Sequence, residues 1–150
     1  MNDRNPGAPS PADVIRRFYD AENAYMNAGG PNGSASFAAM ADTLDPDVVL
    51  HQTPDLPWGG EFHGHAGYED WARKMSDAFD QLEVKDTRVL SEGDVVVILC
   101  RLVTRSRKTG QTLDLPMAQE VRVKDGRIVE FRPFYWNVPA YQAAVGEAVA

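Results

Sequence analysis

The chain reads as an α+β fold in which helices come first and an antiparallel meander follows, the helices packing on one face of a curved sheet. Three observations predict it. Tyr68, Trp71, Met75, Phe79 and Leu82 recur at spacings of three and four, the period of a helix with one buried face. From Glu83 onward the pattern shifts to alternation over 83–90, 94–105, 111–123 and 127–136. Glu92-Gly93-Asp94, Thr109-Gly110 and Asp125-Gly126 separate those segments as turns. A run of helices followed by a run of strands is the α+β pattern, and antiparallel meanders commonly bury one sheet face only.

The elements follow in order. Residues 1–10 are polar and rich in Pro and Gly, which predicts a flexible tail, with a single domain over 11–150. Ser10-Pro11-Ala12-Asp13 is a helix start: Ser10 caps, Pro11 suits the first turn, and Asp13 lies near the positive end of the dipole. Val14, Phe18, Ala21, Tyr25 and Ala28 share one face of that helix, with Glu22 beside Phe18 and Tyr25. Gly29-Gly30-Pro31-Asn32-Gly33 ends it. Ser34 or Ser36 caps a second helix with Phe37, Met40, Ala41 and Leu44 inward, which Asp45-Pro46 stops. Asp47 to Thr53 is a short strand, followed by a Pro- and Gly-rich loop and then the Tyr68–Leu82 helix. In the last hairpin Leu113, Leu115, Met117, Val121 and Val123 share a face. Val129, Phe131 and Tyr135 share one on the return strand. A short helix from Pro139 closes the chain.

Composition bounds the function. Length alone supports one core without disulfide or metal help, and Cys100 is the single cysteine, placed in an apolar strand as core filler or as a pocket thiol. A net charge of −7 argues against nucleic acid or an anionic membrane as partner. There is no secretory start and no apolar run near the ~20 residues of a membrane span, so a cytoplasmic protein is expected. Nucleophile-elbow, Walker and dinucleotide motifs are absent, and no cofactor is implied.

Polar residues on apolar faces are the candidates for chemistry. Gln119 interrupts the Met117–Val121 face and must find a partner or meet the cost of desolvation. Glu22 is either an inward acid or base whose pKa burial would raise, or a solvent-facing helix charge. Tyr25 and Tyr135 are either hydrogen-bond donors to a ligand or core aromatics. His63 and His65 flank Gly64. Either a proton-transfer role for His63 or a solvated loop suits that setting, and two histidines without further ligands do not make a metal site. Trp58 lies in the Pro/Gly loop, placed to lid a pocket and stack on a flat ligand.

Several strings resemble the SnoaL-like branch of the nuclear-transport-factor-2-like (ketosteroid-isomerase-like) superfamily, which includes polyketide cyclases. They are Asp47-Val48-Val49-Leu50, Gly60-Glu61-Phe62-His63-Gly64-His65-Ala66-Gly67, Leu115-Pro116-Met117-Ala118, Asp125-Gly126-Arg127-Ile128 and Phe134-Tyr135-Trp136-Asn137, over roughly residues 12–146. The resemblance implies a cone-shaped half-barrel with the N-terminal helices on its concave face and a deep apolar pocket between. It also implies a homodimer formed through the outer sheet face, where parity puts Arg132, Phe134 and Trp136. Enzymes of the superfamily move protons in that pocket. The chain departs from the better-known branches, however: Gln52 falls where the ketosteroid-isomerase branch has its general base, and Gln119 where it has its oxyanion acid. Pro133 falls where the epoxide-hydrolase branch has an acid, and Asn137 where many SnoaL-like chains have Asp. What remains is a catalytic set of Glu22, Tyr25, His63 and Gln119. Gln52, Trp58, Trp71, Met75, Met117, Phe131 and Tyr135 would bind the substrate. The implied activity is cyclisation, isomerisation or dehydration of an apolar, oxygenated, polyketide-like molecule. A non-catalytic ligand-binding or dimerisation module of the same fold is the alternative.

Overall fold

The computed structural model describes residue 7 and residues 9–146, so most of the expected tail lies outside the described residues. Helix α1 (Pro11–Asn27) begins as its sequence dictates: the Ser10 side chain accepts from the Asp13 amide at 3.2 Å, with Pro11 in the first turn. A 3-10 turn over Gly30–Asn32 leads to the one-turn helix α2 (Ala38–Ala41), shorter than Met40 and Leu44 in register had suggested. Strand β1 (Leu44–Gln52) takes over Leu44 and tolerates Pro46 at a register shift between Leu44 and Val49.

The loop expected over 60–67 holds the four-residue edge strand β2 (Gly60–His63) and the start of α3 (Gly64–Ala78). Helix α3 stops at Ala78. Phe79 and Leu82, which continue its apolar spacing, belong instead to β3 (Phe79–Glu92). Both are buried there because the β3 register shifts between Phe79 and Gln81, so a strand reproduces what looked like helical spacing. Strands β4 (Val95–Ser106), β5 (Thr112–Lys124) and β6 (Arg127–Tyr135) complete the meander, and α4 (Val138–Ala144) follows. Asn137 caps α4 by accepting from the Ala140 amide at 3.1 Å. At the β5–β6 turn Asp125 and Gly126 have φ of 52° and 80°, the two consecutive left-handed residues of a type I′ hairpin. A further register shift at Arg122/Val123 puts Ile128, not the expected Val129, in the core with Phe131.

One six-stranded sheet results, in the order β2-β1-β6-β5-β4-β3. It is curved and unclosed, but it is mixed rather than wholly antiparallel: β1 runs parallel to β6 while every other pair is antiparallel. Helices α1 and α3 pack on one face, α1 against β3 and β5 and α3 against β1 and β3. The core lies between, with Phe18 touching Tyr68 and Phe131 at ring separations of 6.0 and 5.3 Å. No helix among the described residues is long and apolar enough to cross a membrane.

Candidate active site

Helix α1 is fixed to the sheet by Asn23, whose side-chain amide mimics a strand. Its Oδ1 accepts from the Val84 amide at 3.2 Å and its Nδ2 donates to the Val84 carbonyl at 3.3 Å. One position earlier, Glu22 is carried inward and is only 5% exposed. No hydrogen bond or ion pair reaches its carboxyl among the described residues. Burial raises its pKa from 4.5 to about 8, because removing the carboxylate from water penalises the charged form. The side chain is therefore not a solvent-facing helix charge.

Glu22 opens into a narrow cavity between the helices and the sheet, with about 350 Å³ of space between atoms including its mouth. The walls are Leu50, Phe131, Leu82, Val84 and Leu102 from the sheet and Tyr68, Trp71 and Met75 from α3, with Met117 on β5. No lysine, arginine or histidine lines it. Gln52, Gln119 and Tyr135 supply the remaining polar groups. The Gln119 question has a definite answer: its Oε1 accepts from the Tyr19 hydroxyl at 2.7 Å. Among the described residues its Nε2 donates only to soft acceptors, Met117 Sδ at 3.1 Å and Cys100 Sγ at 3.8 Å, which a ligand oxygen can replace. Gln52 and Tyr135 form a second unit. Trp58 Nε1 donates to the Tyr135 hydroxyl at 2.9 Å, which donates to Gln52 Oε1 at 2.8 Å. Burial pushes the Tyr135 phenol well up, and the neighbouring Glu22 charge acts the same way on Tyr19, Tyr68 and Tyr135.

The structure therefore brings together Glu22, Gln119, Gln52, Trp71, Met75, Met117, Phe131 and Tyr135. It does not bring in Tyr25, His63 or Trp58 as cavity walls. Tyr25 is buried against Phe37 at a 5.5 Å ring separation, away from the cavity lining, because α1 turns it toward the segment before α2. His63 ends β2 with its side chain 69% exposed, 3.9 Å from Glu61, since the strand's alternation buries Phe62 instead. Trp58 is no lid: it is fully buried, edge-on to Phe79 and Tyr141, and acts as the support under Tyr135. Besides the aliphatic wall, two tyrosines were not anticipated. Tyr68 was legible only as core stripe, and Tyr19 carries no periodic signal. Its neighbour Phe18 has the apolar position, and only the fold shows Tyr19 facing Gln119. Among the described residues no cluster of three or more His, Cys, Asp or Glu is arranged to hold a metal.

A family model described as a SnoaL-like domain matches residues 15–131, most of the chain. The chain belongs to the SnoaL-like domain family. Solved structures with the same fold are distant in sequence. This SnoaL-like chain is 17% identical to an NTF2-like protein of unknown function from Burkholderia pseudomallei K96243, with a TM-score of 0.77 over 91% of this chain and 97% of that one. It is 21% identical to a protein from Jannaschia sp. CCS1 whose name proposes a SnoaL-like polyketide cyclase, with a TM-score of 0.73 over 99% and 100% of the two chains. It is 15% identical to a protein of ketosteroid-isomerase-like fold from Catenulispora acidiphila DSM 44928, solved in complex with trimethylamine, with a TM-score of 0.71 over 91% and 94%. No curated protein matches the sequence. At these identities the likeness establishes the NTF2-like fold of the SnoaL-like chain.

Proposed function

We propose that this protein is a small-molecule cyclase, isomerase or dehydratase that moves a proton on an apolar, oxygenated, polyketide-like substrate, working as a cytoplasmic homodimer. One observation carries the reading: a single carboxyl, Glu22, unpaired among the described residues and buried in a largely apolar cavity that no cationic side chain lines, with a pKa of about 8. A carboxylate desolvated in this way is a far stronger base than one in water, and proton transfer by a positioned group contributes roughly 10²–10⁴-fold in rate. Glu22 takes a proton next to a carbonyl and returns it. Gln119 Nε2 holds the substrate oxygen on which charge develops. Trp58 and Tyr135 donate within the Trp58–Tyr135–Gln52 unit, which shapes the wall.

The experiment is a thermal-shift screen against cyclic ketones, lactones and phenols, with each hit rechecked by mass spectrometry and repeated with Glu22→Gln. A changed product that Glu22→Gln fails to make by 10²-fold or more is the expected result. Because the ionised form does the work, kcat/KM rises with pH up to about 8 and then levels. Full turnover by Glu22→Gln would remove Glu22 from the reaction. A non-catalytic ligand carrier is the second reading, favoured by the hydrogen bonds that occupy the side-chain carbonyls of Gln52 and Gln119. It predicts saturable binding with the ligand recovered intact.

A further inference from the structure

Glu22 is the cavity's one carboxyl, and among the described residues no cation stands beside it. The cavity holds no cationic side chain, no hydrogen bond reaches the carboxyl among the described residues, and four of the residues that line the cavity with it are aromatic, Tyr68, Trp71, Phe131 and Tyr135. Tyr68 and Trp71 sit edge-to-face at 5.4 Å on adjacent turns of α3, while Phe131 and Tyr135 come from the sheet. Ring faces attract an organic cation and a buried carboxylate attracts it further. The two together are what a methylated ammonium needs, because its charge is diffuse and its surface apolar. An anionic ligand would meet the opposite, a carboxyl with nothing positive beside it.

We propose that this cavity binds a small quaternary or tertiary ammonium compound, with Glu22 as its counter-ion and the Tyr68, Trp71, Phe131 and Tyr135 rings around its methyl groups. The proposal rests on the same site as the proton-transfer reading but not on turnover. It requires the carboxyl to give up its proton as the cation enters. No other group facing Glu22 titrates near neutrality. Tyr19 on its own helix, Tyr68 on α3 and Tyr135 on β6 are all pushed up from 10, and the Cys100 thiol on β4 is pushed up to about 11. Proton release on binding is therefore assigned to Glu22 alone.

Tetramethylammonium is the probe, since its charge does not change with pH. Calorimetric titration of the full chain at fixed ionic strength, in two buffers of different ionisation enthalpy, reads affinity and proton release together. The expected result is saturable one-to-one binding, tightening about tenfold from pH 6 to pH 7 and levelling above about pH 8, with one proton released per cation at the lower pH. Glu22→Gln should weaken binding at least tenfold and flatten its pH dependence. Trp71→Leu should weaken it several-fold while keeping the pH dependence. Tert-butyl alcohol, the neutral molecule of similar shape, should bind without either. Absence of saturable tetramethylammonium binding at pH 9, or equal affinity in folded Glu22→Gln, overturns the proposal. Tetramethylammonium failing while a ketone is still turned over would remove this inference and leave the proton-transfer reading. Binding with no turnover of any substrate would do the reverse.

Discussion

At the scale of single residues, a raised carboxyl pKa is also a statement about stability. The folded Glu22 binds its proton up to about pH 8, whereas the unfolded chain releases it above about 4.5. The unfolded state therefore holds fewer protons between those values. Glu22's contribution is complete below about pH 4.5 and is lost as pH rises toward 8, at about 1.4 kcal/mol per pH unit. Glu22→Gln cannot titrate, so melting curves of the two proteins should diverge by a few degrees per unit from pH 5 to pH 8, the variant being the more stable at the alkaline end. Parallel curves would place the carboxyl in water. Tyr135 makes a second test. Tyr135→Phe removes one hydroxyl but strands two buried partners, Trp58 Nε1 and Gln52 Oε1, and should cost about 2–4 kcal/mol in urea unfolding. Glu22 and Gln119 were legible in the sequence because each is a polar residue set on an apolar stripe. Tyr19 was not, since a residue beside the stripe gives no sign of which strand it faces.

The elements show where pattern reading stops. Ser10 and Asp125-Gly126 marked their cap and turn because their side chain or positive φ acts locally, and local chemistry is written in adjacent letters. The end of α3 was hidden because a bulged strand keeps Phe79 and Leu82 buried at the spacing a helix would use. β2 was hidden by its brevity, four residues between glycines. The turn after α1 depends on a contact that no local pattern shows. Gly30 has a φ of +62°, and a Cβ there would run into Ser76 Oγ on α3. Gly30→Ala should therefore destabilise by about 1–3 kcal/mol through the clash and the strained backbone. Adding Ser76→Ala should restore part of that loss, the coupling being read from a double-mutant cycle. Ser76 Oγ has no hydrogen-bond partner among the described residues, so its removal alone should cost little.

At the scale of the molecule, the helices and cavity occupy one sheet face, and among the described residues nothing covers the patch on the other. Leu99, Ala118 and Phe134 lie side by side across β4, β5 and β6, with Leu99 and Phe134 exposed and Trp136 77% exposed just beyond. An apolar row of this kind is a candidate contact surface, which supports the proposed homodimer. Phe134→Ser with Trp136→Ser should halve the mass measured by light scattering, with the cavity's ligand response unchanged; a monomeric parent protein would dispose of the idea. The outward parity of Phe134 and Trp136 was legible. The parallel β1–β6 pair was not, because nothing in either strand's letters names a partner so far along the chain. That pair has a temporal side. The β3–β6 meander can assemble from neighbours, but Leu50 cannot meet Phe131 until the eighty or so residues between them have been made. Distant pairings are closed late because the entropy of the intervening loop must first be overcome. The Leu50–Phe131 part of the cavity wall thus closes late. A refolding experiment should find β1 amides protected from hydrogen exchange after those of β4 and β5.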